Sequence, residues 1–374
     1  MYIGEPSSAS SSAPRSALLP AGRRVFVHPK TGKETPFGSF ESVTISELCR
    51  RVNEMQSTTD AKTKKTPPTL TTASRVDIGH LQGTLTTDDR ALVQVASNFN
   101  CLENGSISRG PDCGFLVDLA CRDYTQGPAA VFPTLSAYLF RAHFFPQEIN
   151  LLKDAADYFG VPRNGKLLLG GGEKAIVDTG GNDNSNNLLM EEVVKAISIG
   201  LHKDCPILFA RDSKGNVYET SNHPDDDGDE DASCEGCAYP TVDHVLTASV
   251  NYNRVGVLSQ DCRASVVGHS EEEKERAYMD RMARVLLRAA YEGTYLAAIL
   301  QGRKTLLLTL VGGGSFGNPV SIIVEEMKRA HEKWAGHPAS RLEKCQVCLF
   351  SEKDEAEVKK HFLSASGSFP QHHV

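Results

Sequence analysis

The chain has 374 residues, of which 40% are hydrophobic and 23% charged, a globular composition that excludes wholesale disorder. No run approaches the roughly 18 consecutive apolar residues that cross a bilayer, which excludes a membrane-spanning helix. Net charge is -7, yet residues 225–231 alone carry six acidic groups, so the rest of the chain is almost balanced and a general electrostatic grip on a nucleic-acid backbone is not expected.

The N-terminus lacks a basic start followed by an apolar core, so no secretory signal is expected. Ten scattered cysteines then read as reduced thiols of a cytoplasmic or nuclear protein. Residues 1–75 read as a largely disordered tail. Its first residues are rich in Ser, Ala and Pro, and residues 57–74 are mostly Thr, Lys, Ser and Pro. One short helix interrupts it over 42–52, with apolar residues at helical spacing and Ser46 as its cap. The folded domain is expected over 76–374. Insertions are placed near 165–190, which contains the polar run 182–187, and near 211–240, which contains the acidic stretch.

Within that domain, residues 92–96 are a short apolar run of strand character. Residues 207–210 read as a strand forming a hairpin with 217–218, because 212–216 is turn chemistry. Residues 245–252 are apolar and β-branched. Residues 272–300 are helical, with Met279, Met282, Leu286, Ala290 and Ala297 on one side. Residues 306–311 form a continuous apolar run suited to a strand buried on both faces. A helix over 319–334, a strand over 347–350 and a helix over 352–363 complete the chain. Strands alternating with amphipathic helices imply an α/β fold layered around a mixed or parallel sheet.

The strongest chemical signal is the run from Leu306 through Val311-Gly312-Gly313-Gly314-Ser315-Phe316-Gly317-Asn318-Pro319, read as strand, glycine loop and helix. Backbone N–H groups at such a place, with the positive end of the following helix, form an anion cradle. The loop has no Gly-Lys-Ser/Thr, so nucleoside triphosphate hydrolysis is not expected, and holding a diphosphate without cleaving it fits better. On local chemistry alone, a tight strand-to-helix turn without a ligand fits equally well. Asn98 and Asn100 follow the 92–96 strand, where their amides suit ribose hydroxyls or simply a turn. Asp118 and Asp123 stand before the Thr125-Gln126-Gly127-Pro128 loop, where a carboxylate either activates water or caps a helix.

Taken in order, Gly83-Thr84-Leu85, residues 91–100, Thr125-Gln126-Gly127-Pro128, residues 242–249 and residues 308–318 resemble the ligand loops of macrodomains, in a branch with a Thr-Gln-Gly-Pro loop that includes ADP-ribosyl hydrolases. Ser97-Asn98-Phe99-Asn100 stands where the common type has Asn-Ala-Ala-Asn. The resemblance spans roughly residues 76–350. It implies a macrodomain-like three-layer α/β/α sandwich with a mixed central sheet and an ADP-ribose cleft at the strand ends. It also implies that Gly312, Gly313, Gly314, Ser315, Phe316, Gly317 and Asn318 hold the diphosphate and distal ribose, with Phe316 packed on that ribose. Asn98 and Asn100 would line the ribose, and Thr125, Gln126, Gly127 and Pro128 would face the diphosphate from the other side. Asp123, with Asp118 in reserve, would position or activate the attacking water.

No cofactor or metal is expected. Cys234, Cys237, Cys345 and Cys348 have the pairing of a zinc site, but residues 347–350 read as a strand whose Cys348 is core. The expected function is ADP-ribose binding with hydrolysis of ADP-ribosyl links on proteins or small molecules, by a monomer with no membrane partner. The alternatives are a non-catalytic ADP-ribose reader and a scaffold.

Overall fold

A computed structural model describes residues 25–27, 34–58, 66–102, 127–144, 149–159, 162, 183–220, 239–253 and 268–363. In chain order the strands are β1 (Val25–Val27), β2 (Glu34–Pro36), β3 (Ser39–Thr44), β4 (Leu70–Ala73), β5 (Ala91–Ala96), β6 (Ser198–Pro206), β7 (Phe209–Arg211), β8 (Val217–Glu219), β9 (Thr241–Thr247), β10 (Thr305–Leu308) and β11 (Lys344–Cys348). The helices are α1 (Ile45–Thr58), α2 (Ile78–Gly83), α3 (Pro128–Val131), α4 (Leu135–Phe144), α5 (Ala156–Phe159), α6 (Asp183–Ala196), α7 (Glu271–Leu300), α8 (Val320–Trp334) and α9 (Glu352–Leu363).

Seven strands form one mixed sheet in the order β3-β6-β9-β5-β10-β11-β4. From β9 to β4 every neighbour is parallel, while β6 runs against both β3 and β9. The central strands β5 and β10 are apolar and almost wholly buried, as expected of parallel strands covered on both faces. Gln94 of β5 reaches α7, whereas His244, on the opposite pleat of the neighbouring β9, reaches α2. One layer therefore holds α7 with α1, α6 and α8, and the other holds α2, α3 and α4. The fold is an α/β sandwich with a mixed central sheet.

Helix α7 starts at a capping box: Ser270 Oγ accepts from Glu273 N at 3.1 Å, and Glu273 Oε2 accepts from Ser270 N at 3.2 Å. Its expected single apolar side proves too narrow. Residues 278–299 are almost continuously buried, because α1, α6 and α8 cover the side turned away from the sheet. Arg288 of α7 makes a two-toothed pair with the fully buried Glu326 of α8, at 2.9 and 3.2 Å, and reaches Glu191 of α6 at 3.2 Å.

The expected tail boundary at residue 75 needs correction. Strand β3, helix α1 and strand β4 all belong to the central sheet or its covering layer. Ile45, Leu48 and Val52 of α1 lie in the main core, and the cap is Thr44, whose Oγ1 accepts from Glu47 N at 3.2 Å, rather than Ser46. Strand β4 looks polar because it is an edge strand: β11 supplies its ladder, and only Leu70 of the four residues is buried. Of the expected insertions, residues 165–182 and 221–238 lie outside the described residues. Residues 183–190 belong to α6, which ends in buried Val193 and Val194. The expected hairpin is β7–β8, turned by Asp212, whose Oδ1 accepts from Lys214 N and Asn216 N. Strand β10 ends at Leu308 rather than 311, α8 starts at Val320 with Pro319 as its cap, and β11 lies earlier, at 344–348. Among the described residues no helix is long and apolar enough to cross a membrane.

His202 of β6 and His244 of β9 are a directly opposed buried pair. Burial, with Arg141 nearby, holds both neutral: His202 well below the usual histidine value, and His244 at about 3. Each is therefore harder to protonate in the folded than in the unfolded chain. Below about pH 6.5 the unfolded chain binds the extra protons, so stability falls with decreasing pH by up to about 1.4 kcal/mol per pH unit for each group. Urea unfolding should show a steady loss of stability from pH 7 to pH 5; a flat profile across that range would contradict this burial.

Candidate functional site

The parallel neighbours β9, β5 and β10 end on one edge of the sheet, at Thr247, Ala96 and Leu308. The first two described helices after β5, α3 and α4, lie on one face. Those that follow β9 and β10, α7 and α8, lie on the other. Strand β5 is thus flanked by points where the winding direction reverses, and in open α/β sheets such points open a crevice at the carboxyl ends of the strands. Asn98, Asn100 and the 312–318 loop all emerge there.

The glycine loop is held at its root. Gln94 Oε1 accepts from Thr309 N at 3.3 Å, and the Tyr291 hydroxyl donates to Thr309 O at 2.7 Å and accepts from Val311 N at 3.3 Å. Beyond the root, Gly313 N donates to Leu310 O, Gly317 N to Gly314 O and Asn318 N to Gly312 O, all within 3.0 Å. Gly312 and Gly317 have φ of 72° and 69°, where a side chain is strained. Each also lacks room: a Cβ on Gly312 would stand 2.5 Å from Asn318 Nδ2, and one on Gly317 would collide with the Asn253 amide. Among the described residues, the amides of Gly312, Gly314, Ser315 and Phe316 donate to no acceptor. Gly314 and Ser315 are exposed, and nothing lies within 4 Å of where a Gly314 Cβ would be. Pro319 offers α8 no side-chain cap, so this edge presents bare N–H groups and a positive helix end. No Lys or Arg occurs between 305 and 327.

The structure gives Asn318 another task than the ligand contact expected of it. It is 3% exposed; its Nδ2 donates to Val250 O at 2.8 Å and to Gly312 O at 3.1 Å, and its Oδ1 accepts from Ser249 Oγ at 2.8 Å. It therefore ties the glycine loop to the loop after β9. Asn253 adds two further ties, its N–H to Phe316 O and its amide to Ser315 O, both at 3.2 Å. Asn98 is also buried and donates to Leu102 O at 2.7 Å, while Asn100 Oδ1 accepts from Leu102 N at 3.2 Å. Both amides shape the turn that follows β5, with Cys101 in the left-handed region at φ 55°. Buried Arg141 holds that turn through Cys101 O at 3.0 Å.

Gly127 and Pro128 lead into α3, which packs on β5 and α2. Gln82 Nε2 donates to Ala130 O at 2.7 Å, and its Oε1 accepts from His244 Nε2–H at 2.9 Å. A buried amide–imidazole pair thus sets where the loop's last residues sit. Asp118, Asp123, Thr125 and Gln126 lie outside the described residues.

Tyr291, Gln94, Ser249, Asn253, Gln82, His244 and Arg141 position these loops, and the sequence reading assigned none of them a role. For Gln94 a signal existed: it is a polar side chain inside a strand otherwise apolar, and such a residue needs an internal partner. The hydroxyls of Ser97 and Thr247 and the Oδ1 of Asn251, at the same edge, are buried with no hydrogen-bond partner among the described residues. Among the described residues no group of three or more His, Cys, Asp and Glu is placed to hold a metal ion. Cys345 and Cys348 are buried in β11 with thiols pushed up to about 12 by burial. Three apart in a strand, they face opposite sides of the sheet and do not converge on one ion.

No family model and no curated protein matches the sequence. Solved structures similar to this chain include poly(ADP-ribose) glycohydrolase from Thermomonospora curvata, at 12% identity over 90% of this chain and 93% of that one, with a TM-score of 0.43. They also include poly(ADP-ribose) glycohydrolase from Deinococcus radiodurans in complex with ADP-ribose, at 11% identity over 87% of this chain and 95% of that one, with a TM-score of 0.42. The likeness is one of fold.

Proposed function

We propose that the chain binds ADP-ribose and hydrolyses ADP-ribosyl linkages on proteins or small molecules. The observation that carries the binding is the 312–318 loop. Its unused amides stand at a winding-reversal point of the sheet, at the positive end of a 15-residue helix, with no cationic side chain in the loop. A diphosphate suits such a cradle because its charge spreads over several oxygens that separate N–H donors can share. The order of the macrodomain-like motifs supports the same ligand.

Hydrolysis would place the distal ribose toward the segment that precedes α3. Water attacks its anomeric carbon, the bond from that carbon to the acceptor atom breaks, and a proton passes to the departing group. Asp123 orients or deprotonates the water, with Asp118 in reserve. Removing a positioned base costs on the order of 100-fold or more in turnover. Asp123→Asn should therefore lose most turnover on an ADP-ribosylated protein while keeping ADP-ribose affinity within about twofold by calorimetry. Full turnover in this variant would remove Asp123 from the mechanism. Tight binding by the wild type with no product released would instead favour the non-catalytic reader.

A further inference from the structure

We infer that Tyr291, far from the 312–318 loop in sequence, is its positioning residue: one buried phenol sets the angle at which the loop leaves the sheet, and through that angle the affinity for the ligand. Strand β10 stops pairing at Leu308, so the polar groups of residues 309–311 need other partners. Backbone bonds supply some, Val311 N to Thr309 O at 3.1 Å and Gly313 N to Leu310 O at 2.9 Å, and buried side chains supply the rest. Tyr291 Oη donates to Thr309 O at 2.7 Å and accepts from Val311 N at 3.3 Å, clasping both sides of one bend. Gln94 Oε1 takes Thr309 N, and Gln94 is held by Thr294 Oγ1 at 2.9 Å, which in turn donates to Ala290 O at 2.7 Å.

All these side chains are fully buried, on α7 and on the middle of β5. Burying three polar side chains is tolerated only when each is satisfied, and here their bonds converge on the root of a single loop. A strand that merely turned into a helix could end in water and would need none of them. Burial also pushes the phenol's ionisation well above its usual value, so it stays a donor at every working pH.

The affinity part of the inference rests on the function proposed above; the loop-geometry part does not. In Tyr291→Phe the ring still fills its place, but Thr309 O and Val311 N lose their shared partner and keep only the bond between them. Amide hydrogen exchange should accelerate at Val311, Gly313 and Gly317, the hydrogen-bonded amides of the segment, while α7 and α8 keep their protection, and the ADP-ribose dissociation constant should rise by about tenfold or more, the scale of a lost buried hydrogen bond. Gln94→Met, which removes the acceptor of Thr309 N at similar volume, should shift both readouts the same way, and it carries the test if Tyr291→Phe fails to fold. Should the wild type not bind ADP-ribose at all, the proposed function falls, and selectively faster exchange at Val311, Gly313 and Gly317 still supports the positioning role. Unchanged exchange in the loop, or a uniform loss of protection at wild-type affinity, would overturn it.

Discussion

Replacing Asn318 by Ala should cost about 3 kcal/mol of folding stability and remove measurable ADP-ribose binding, the stability figure following from the penalty for stranding buried polar groups. The side chain makes three hydrogen bonds, to Val250 O, Gly312 O and Ser249 Oγ, in a place almost closed to water. Alanine leaves all three partners short. The two carbonyls belong to separate loops, so the loss is not local: the glycine loop comes away from the loop after β9. Asn318→Asp keeps the acceptor for Ser249 but sets a buried carboxyl against the Val250 and Gly312 carbonyls, so it should cost at least as much as alanine. Chemical denaturation measures the stability term and calorimetry the binding term. A variant with wild-type stability and affinity would show that the amide is incidental.

Gly312→Ala should be as damaging to binding for a different reason. At φ 72° a side chain costs roughly 1–2 kcal/mol in the backbone alone. The new Cβ would also stand 2.5 Å from Asn318 Nδ2 and 3.0 Å from Ser249 Cβ. Since Asn318 is the clamp, the collision pushes out the residue that shapes the loop. Two substitutions acting on one contact are not additive, so Gly312→Ala with Asn318→Ala should cost distinctly less than the two single losses together. Additive losses would contradict the shared contact. Gly314→Ala is the control: with open space at its Cβ position and no positive φ, it should fold as the wild type does.

The sequence was most legible where an element depends on its own residues. The apolar runs of β5 and β10, the helices α7 and α9 and the stripe of α8 all persist, and so does the glycine loop as a strand-to-helix connection. It was least legible where an element depends on partners far away. Strand β4, with two adjacent threonines, becomes a strand because β11 lies beside it, and β6 buries His202 only because Arg141 and Phe37 O satisfy the imidazole. Asn98 and Asn318 show the same limit at the site. An amide near a crevice suits a ligand hydroxyl as well as it suits a neighbouring carbonyl, and only the folded chain shows that both amides have carbonyl partners. In the proposed function, the binding chemistry therefore rests on the peptide groups that these side chains hold in place.

The most direct test of that shift is a titration of the isotope-labelled protein with ADP-ribose, followed by amide resonances. The account predicts large, saturable shifts at Gly314, Ser315 and Phe316, reproduced by a simple diphosphate ester and insensitive to replacement of exposed lysines or arginines. Saturation with the loop amides unmoved, or with shifts confined to another face of the sheet, would contradict it.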